Sequence, residues 1–149
     1  LSPLTAAQAQ APQAAAATKV DDKLVWDLTP IFKSPAEWDN ARKKLLTDLG
    51  EAKKWQGTLG KDAATLRAVM DRMSELNHQA EKLQVYAYLQ YSTDTRDNAY
   101  QERLNLAQSM AAQASTAVAW FAPEVQSLGE DKINAFIKAA VEHQKAAKA

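Results

Sequence analysis

The chain has 149 residues, 46% hydrophobic and 24% charged, and its 18 basic and 18 acidic residues cancel. Those values suit a globular domain with a core and exclude global disorder, and without a dense basic block nucleic acid is excluded as a partner. Only four glycines, five prolines and no cysteine are present, which favours helices and rules out disulfides, thiolate metal sites and cysteine nucleophiles.

The chain opens Leu1-Ser2-Pro3-Leu4-Thr5-Ala6-Ala7-Gln8-Ala9-Gln10-Ala11. Small residues in A-x-A spacing, at Ala7-Gln8-Ala9 or Ala9-Gln10-Ala11, are those of a signal-peptide cleavage site. Export, to the periplasm, is the expectation; an Ala/Gln linker on a cytoplasmic protein is the alternative. Residues 1–22 hold too little apolar bulk to build a core and are expected to form a tail. No stretch reaches the roughly 20 apolar residues of a membrane span.

Leu24-Val25-Trp26-Asp27-Leu28-Thr29-Pro30-Ile31-Phe32 gathers large apolar side chains in a run too short for a helix and cut by Pro30. A packing strap over a helix pair is predicted, with Thr29 as N-cap and Pro30 as first residue of a single helical turn. Helix one starts at Ser34, with Pro35 at its first position and Glu37 completing a capping box. Trp38, Ala41, Leu45, Leu49 and Ala52 share its buried face, and Gly57 and Gly60 close it.

Asp62 caps a second helix predicted over 62–91. Its seam, Leu66, Val69, Met73, Leu76, Ala80, Leu83 and Ala87, steps by three and four as in near-antiparallel helix packing, and Tyr88 and Tyr91 extend it. Ser92-Thr93-Asp94-Thr95-Arg96-Asp97 is a polar turn, each residue able to bond its own backbone. Asp97 caps helix three, with a face of Tyr100, Leu104, Ala107, Ala111, Ala114, Val118 and Phe121. Its alanine centre admits close helix approach and predicts a centrally packed helix. Pro123 kinks or ends it, Gly129 is the next stop, and Ile133, Phe136, Ile137 and Val141 form one face of a shorter last helix. The sum is an all-α antiparallel bundle or long helical hairpin over 23–142, three substantial helices and a short fourth, with residues 143–149 as a C-terminal tail.

No catalytic, cofactor-binding or metal-ligating residue is assigned. A zincin helix needs His-Glu-x-x-His, and His78 and His143 are followed by Gln79 and Gln144. Glu75-Leu76-Asn77-His78, with Glu81 beyond, is half of a bundle metal site with no second half, and Leu76 in the seam turns Glu75 and His78 toward solvent. Asp94 and Asp97 are explained as caps before acid–base partners. The four glycines are placed at helix ends, with no phosphate loop or nucleophile elbow among them. Trp26, Trp38, Trp55, Tyr86, Tyr88, Tyr91 and Trp120 are expected in the core, with Tyr86, off the seam, the one placed to face a partner.

Three segments in order, Trp26-Asp27-Leu28-Thr29-Pro30-Ile31-Phe32, then Tyr88 and Tyr91-Ser92-Thr93-Asp94-Thr95-Arg96-Asp97, then Phe121-Ala122-Pro123-Glu124, resemble the N-terminal domain of oligoendopeptidase F. That family comprises zinc metallopeptidases of the thimet-oligopeptidase clan. The resemblance covers about 24–140. It implies a helical region packed over the protein's own C-terminal catalytic domain, narrowing a cleft that admits oligopeptide substrates and excludes folded proteins. The family's His-Glu-x-x-His and its glutamate ligand lie far downstream, so zinc is expected in that absent domain and none here. A free-standing helical interaction module is the alternative.

Overall fold

Ser34 starts the first helix as its neighbours prescribe: its Oγ accepts the Glu37 amide at 3.2 Å, with Pro35 in the first turn. The Glu37 carboxylate reaches back past the cap itself, to the Lys33 amide at 2.7 Å. The computed structural model describes residues 26–146; the Ala/Gln-rich segment 1–22, Leu24, Val25 and residues 147–149 lie outside the described residues.

Helix α1, Pro35–Ala52, tightens into a 3-10 turn at Lys53–Trp55, and Gly57, at φ +84°, then reverses the chain. Gly50 departs from the expected placing of glycines at helix ends. It lies inside α1, exposed, where helix hydrogen bonding on either side tolerates the missing side chain. Asp62 accepts the Thr65 amide at 2.7 Å and opens α2, Ala63–Thr93, 31 residues without a break. Asp97 accepts the amides of Ala99 and Tyr100 at 2.7 and 3.2 Å to open α3, Asn98–Val118.

Beyond α3 the chain differs from expectation. The helix stops at Val118, before Pro123 is reached, and Pro123 sits in the first turn of a separate short helix, α4, Phe121–Ser127. A missing amide costs nothing there, because first-turn amides have no intrahelical acceptor. Gly129, at φ +75°, breaks the chain before α5, Glu130–Ala146. With 17 residues α5 is not a short helix, and it runs through the start of the predicted tail to Ala146. Ile133 and Phe136 are its half-buried contacts; Ile137 and Val141, predicted on the same face, are 56% and 44% exposed. The half-buried residues of α5 include Ile133, Phe136 and Ala140, so the covered face is offset from the predicted one.

All regular elements among the described residues are helical. Helices α1, α2 and α3 each pack on the other two, and α5 packs on α2. Trp38 near the start of α1 meets Leu83 late in α2, and Asp48 near its end meets Arg72 early in α2, so the two run antiparallel. The main core draws Trp38, Leu45 and Leu49 from α1, Leu76, Ala80, Leu83 and Ala87 from α2, and Ala107 and Met110 from α3. A second cluster forms where Leu59, Leu66 and Val69 meet half-buried Phe121, Val125, Leu128, Ile133 and Phe136. Trp55 and Met73 touch both clusters. On α3 only Ala107 and Met110 are buried, while Ala111 and Ala114 are half-buried. The predicted central position of its alanine face is met only in part, because no further helix among the described residues covers it.

Candidate functional site

The strap before α1 closes one end of the bundle. Asp27, and not Thr29, caps its turn: Asp27 Oδ1 accepts the Thr29 amide at 3.0 Å and hydroxyl at 2.7 Å, which holds the Asp27 carboxyl below its usual range. The amides of Ile31 and Phe32 then donate to the Leu28 carbonyl at 3.0 and 3.2 Å. This lays Phe32 edge-on to Tyr86, with ring centroids 5.3 Å apart and planes at 82°. Tyr86 is therefore only 3% exposed and faces no partner, a correction to its predicted place. The sequence periodicity of α2 does not register a residue buried by a segment over 50 positions away.

Burial raises the Tyr86 hydroxyl pKa, and that hydroxyl accepts from Gln90 Nε2 at 3.0 Å. Gln90 Oε1 in turn accepts from Arg103 of α3. The guanidinium carbons of Arg103 and Arg42 lie 5.8 and 5.9 Å from the centre of the Trp38 ring, within cation–π range. Around this network is a recess of about 470 Å³ that takes in Trp26, Phe32, Tyr86, Gln90 and Tyr100. Trp26 at its lip is 62% exposed, against the expectation that it is core; Tyr88 is 61% exposed and likewise leaves the seam it was predicted to extend.

A second recess, about 420 Å³, runs between α2 and α3. Leu49 and Leu76 form its floor, Met73, Ala80, Ala111, Ala114 and Val118 its walls, and Asn77, Gln84 and Ser115 its uncharged polar rim. Neither recess brings together a nucleophile, a base and an oxyanion donor.

Glu75, His78 and Glu81 are exposed on α2. Gln79 Nε2 donates to Glu75 at 2.6 Å and Asn77 Nδ2 donates to Glu81 at 2.8 Å. Among the described residues no three His, Asp or Glu side chains are grouped to hold a metal ion. Asp94 and Asp97 serve their own turn: Asp94 accepts the Arg96 amide at 3.0 Å and pairs with its guanidinium, which lowers the Asp94 pKa, and Asp97 caps α3.

One polar device gave no sequence signal. Glu124 of α4 accepts the amides of Gly57 and Leu59, at 2.8 and 3.0 Å, from a loop more than 60 positions upstream. The carboxylate thus caps the loop entering α2 and fixes α4 against it. Nearby, a Cβ on Gly60 would come within 2.9 Å of Leu128 Cδ2, so the Leu128 side chain packs directly on the loop. All three quoted motifs now have a place: the strap, the α2–α3 turn, and α4 with its clamp.

No known family profile matches the chain. Individual proteins do. The plasmid-encoded oligoendopeptidase F of Lactococcus lactis subsp. cremoris is 28% identical over 120 residues, 80% of this chain and 20% of the relative. Oligopeptidase PepF of Bacillus subtilis is 30% identical over 115 residues, 75% of this chain and 17% of the relative. The crystal structure of oligoendopeptidase-F from Enterococcus faecium superposes with a TM-score of 0.66 at 31% identity, covering 71% of this chain and 21% of that one. The chain spans about a fifth of the length of the curated relatives it matches.

Proposed function

We propose that this chain, a homologue of oligoendopeptidase F over most of its length, is the N-terminal helical domain of a longer zinc endopeptidase that hydrolyses short peptides. Residues 23–142 form the domain in this reading. Its helices pack over the protein's own C-terminal catalytic part and narrow the way into the cleft, and none of its residues is catalytic or binds metal. One observation carries the proposal: similarity reaches 80% of this chain but 20% of the relative, so the likeness is to one region of a far larger protein.

Sequencing the gene past Ala149 is the first test. Several hundred further codons with a His-Glu-x-x-His motif are expected, and a stop codon directly after Ala149 would leave the free-standing interaction module in its place. The purified 149-residue chain should leave a fluorogenic oligopeptide intact, whereas the parent should cleave it and lose that activity to a chelator. Cleavage by the chain alone overturns the proposal. Export rests separately on the A-x-A spacing at Ala7–Ala11. It predicts a mature N-terminus at Gln10 or Pro12 in a periplasmic fraction, and an uncleaved cytoplasmic protein refutes it.

A further inference from the structure

Between Arg103 and Glu124 the chain runs for 20 residues without a charged side chain, although 24% of the whole is charged. Core burial does not account for this. Asn105, Gln108, Ser109, Ala112, Gln113 and Thr116 share one side of α3, recurring in the i, i+3, i+4, i+7, i+8, i+11 pattern, and all are exposed. The outward faces of α1 and α2 carry ion pairs in the usual way, such as Lys43 with Asp39, Lys44 with Asp48 and Arg67 with Asp71. The depletion belongs to α3.

Both flanks of that face are recessed. The groove toward α2, about 420 Å³, has been described; another of about 510 Å³ lies toward α1, between Leu46, Gly50, Ser109, Ala112 and Ala117. No charged residue lines either. Two of the polar groups on the ridge between them are already served by their own helix: Thr116 Oγ1 donates to the Ala112 carbonyl at 3.0 Å, and Gln113 Nε2 reaches the Ser109 carbonyl and hydroxyl at 3.4 and 3.3 Å. Such a face can lose water without orphaning these donors. Loss of charge marks the buried centre of an interface, and small side chains let a second backbone come close.

We infer that the outer face of α3, with its two flanking grooves, is buried against the remainder of the parent polypeptide. The inference rests on the proposal that such a parent exists. The occupant is intramolecular for two reasons. The relatives are about five times longer than the stretch matched here, so four-fifths of the polypeptide lies outside this chain. The face also lacks the charges that steer diffusing partners to one another, and a tethered partner needs none.

The chain has no cysteine, which gives a direct test in the full-length parent. Ser109→Cys is nearly isosteric and exposed; Arg67→Cys and Lys43→Cys, at positions 72% and 64% exposed, are controls. Thiol labelling is followed site by site by peptide mass spectrometry, and Ala112→Cys repeats the measurement at a second point on the face. Labelling at 109 and 112 is expected to run at least about tenfold slower than at the controls, as for a site reached only through opening. Equal rates in a longer parent overturn the inference and leave the proposed function standing. Protection that disappears on dilution, together with a monomer–dimer shift in size-exclusion chromatography, assigns the face to a second copy and also overturns it. A gene that stops at Ala149 removes the parent, and both proposals fall.

Discussion

Trp38 Nε1 donates to the carbonyl of Leu83 at 2.9 Å, across 45 positions and between two helices. Trp38 is 1% exposed and Leu83 also 1%, so the bond ties α1 to α2 inside the core. Trp38→Phe removes the bond and part of the ring while keeping an aromatic in place. It should cost about 1–2 kcal/mol, against about 3–5 for Trp38→Ala, which also leaves a cavity. Urea unfolding of the two variants checks the ordering; no loss in Trp38→Phe would show that the indole N–H contributes nothing.

Glu124 should act locally. Glu124→Ala leaves the amides of Gly57 and Leu59 without their acceptor, at a cost of about 1–3 kcal/mol. Glu124→Gln keeps one oxygen and should lose less. Hydrogen exchange at Leu59 is expected to quicken in both variants, and most in the alanine one, with the amides around Leu83 unaffected.

Leu76 is 2% exposed in the main core. Leu76→Asp buries an unpaired charge in addition to losing apolar contact, and should abolish cooperative unfolding. Leu76→Ala should retain the fold and lose about 2–5 kcal/mol. A melting temperature unchanged by aspartate would place the seam of α2 on its outer side.

Acid should weaken the fold through carboxylates that are bonded in it. Lys43 and then Arg42 lower the Asp39 pKa, Lys44 and then Arg72 lower that of Asp48, and the Thr65 amide lowers that of Asp62. A carboxyl with a folded pKa below its ordinary 3.8 binds fewer protons folded than unfolded, so it stabilises above that value. The contribution disappears as pH falls through the lowered folded pKa. The melting temperature should therefore hold from neutrality down to about pH 4 and drop below it. Asp48→Asn should flatten that drop, read as melting temperature against pH.

How far the sequence foretold these features depends on the range of the interaction. The seam of α2 and the caps at Ser34, Asp62 and Asp97 were legible because each is set by residues within four positions. The resemblance of three short motifs to oligoendopeptidase F was legible for a similar reason, since each motif builds a local turn. Tyr86 was misplaced because its cover, Phe32, arrives from the strap. Glu124 was silent because a carboxylate gives no hint of two amides more than 60 positions away. Ile137 and Val141 keep perfect helical spacing, but the covered face runs beside them, through Ile133, Phe136 and Ala140. At the proposed interface, the alanines of α3 announced close packing while the structure shows that packing unmet within the described residues.

Among the described residues, helix α2 is the only element whose side chains enter both hydrophobic clusters in their buried centres, at Leu66 and Val69 near one end and at Leu76 through Ala87 further along. Its 31 residues make an unbroken rod about 46 Å long. Anchored so, it is shared by the two clusters, and displacing it at one end disturbs the packing of both.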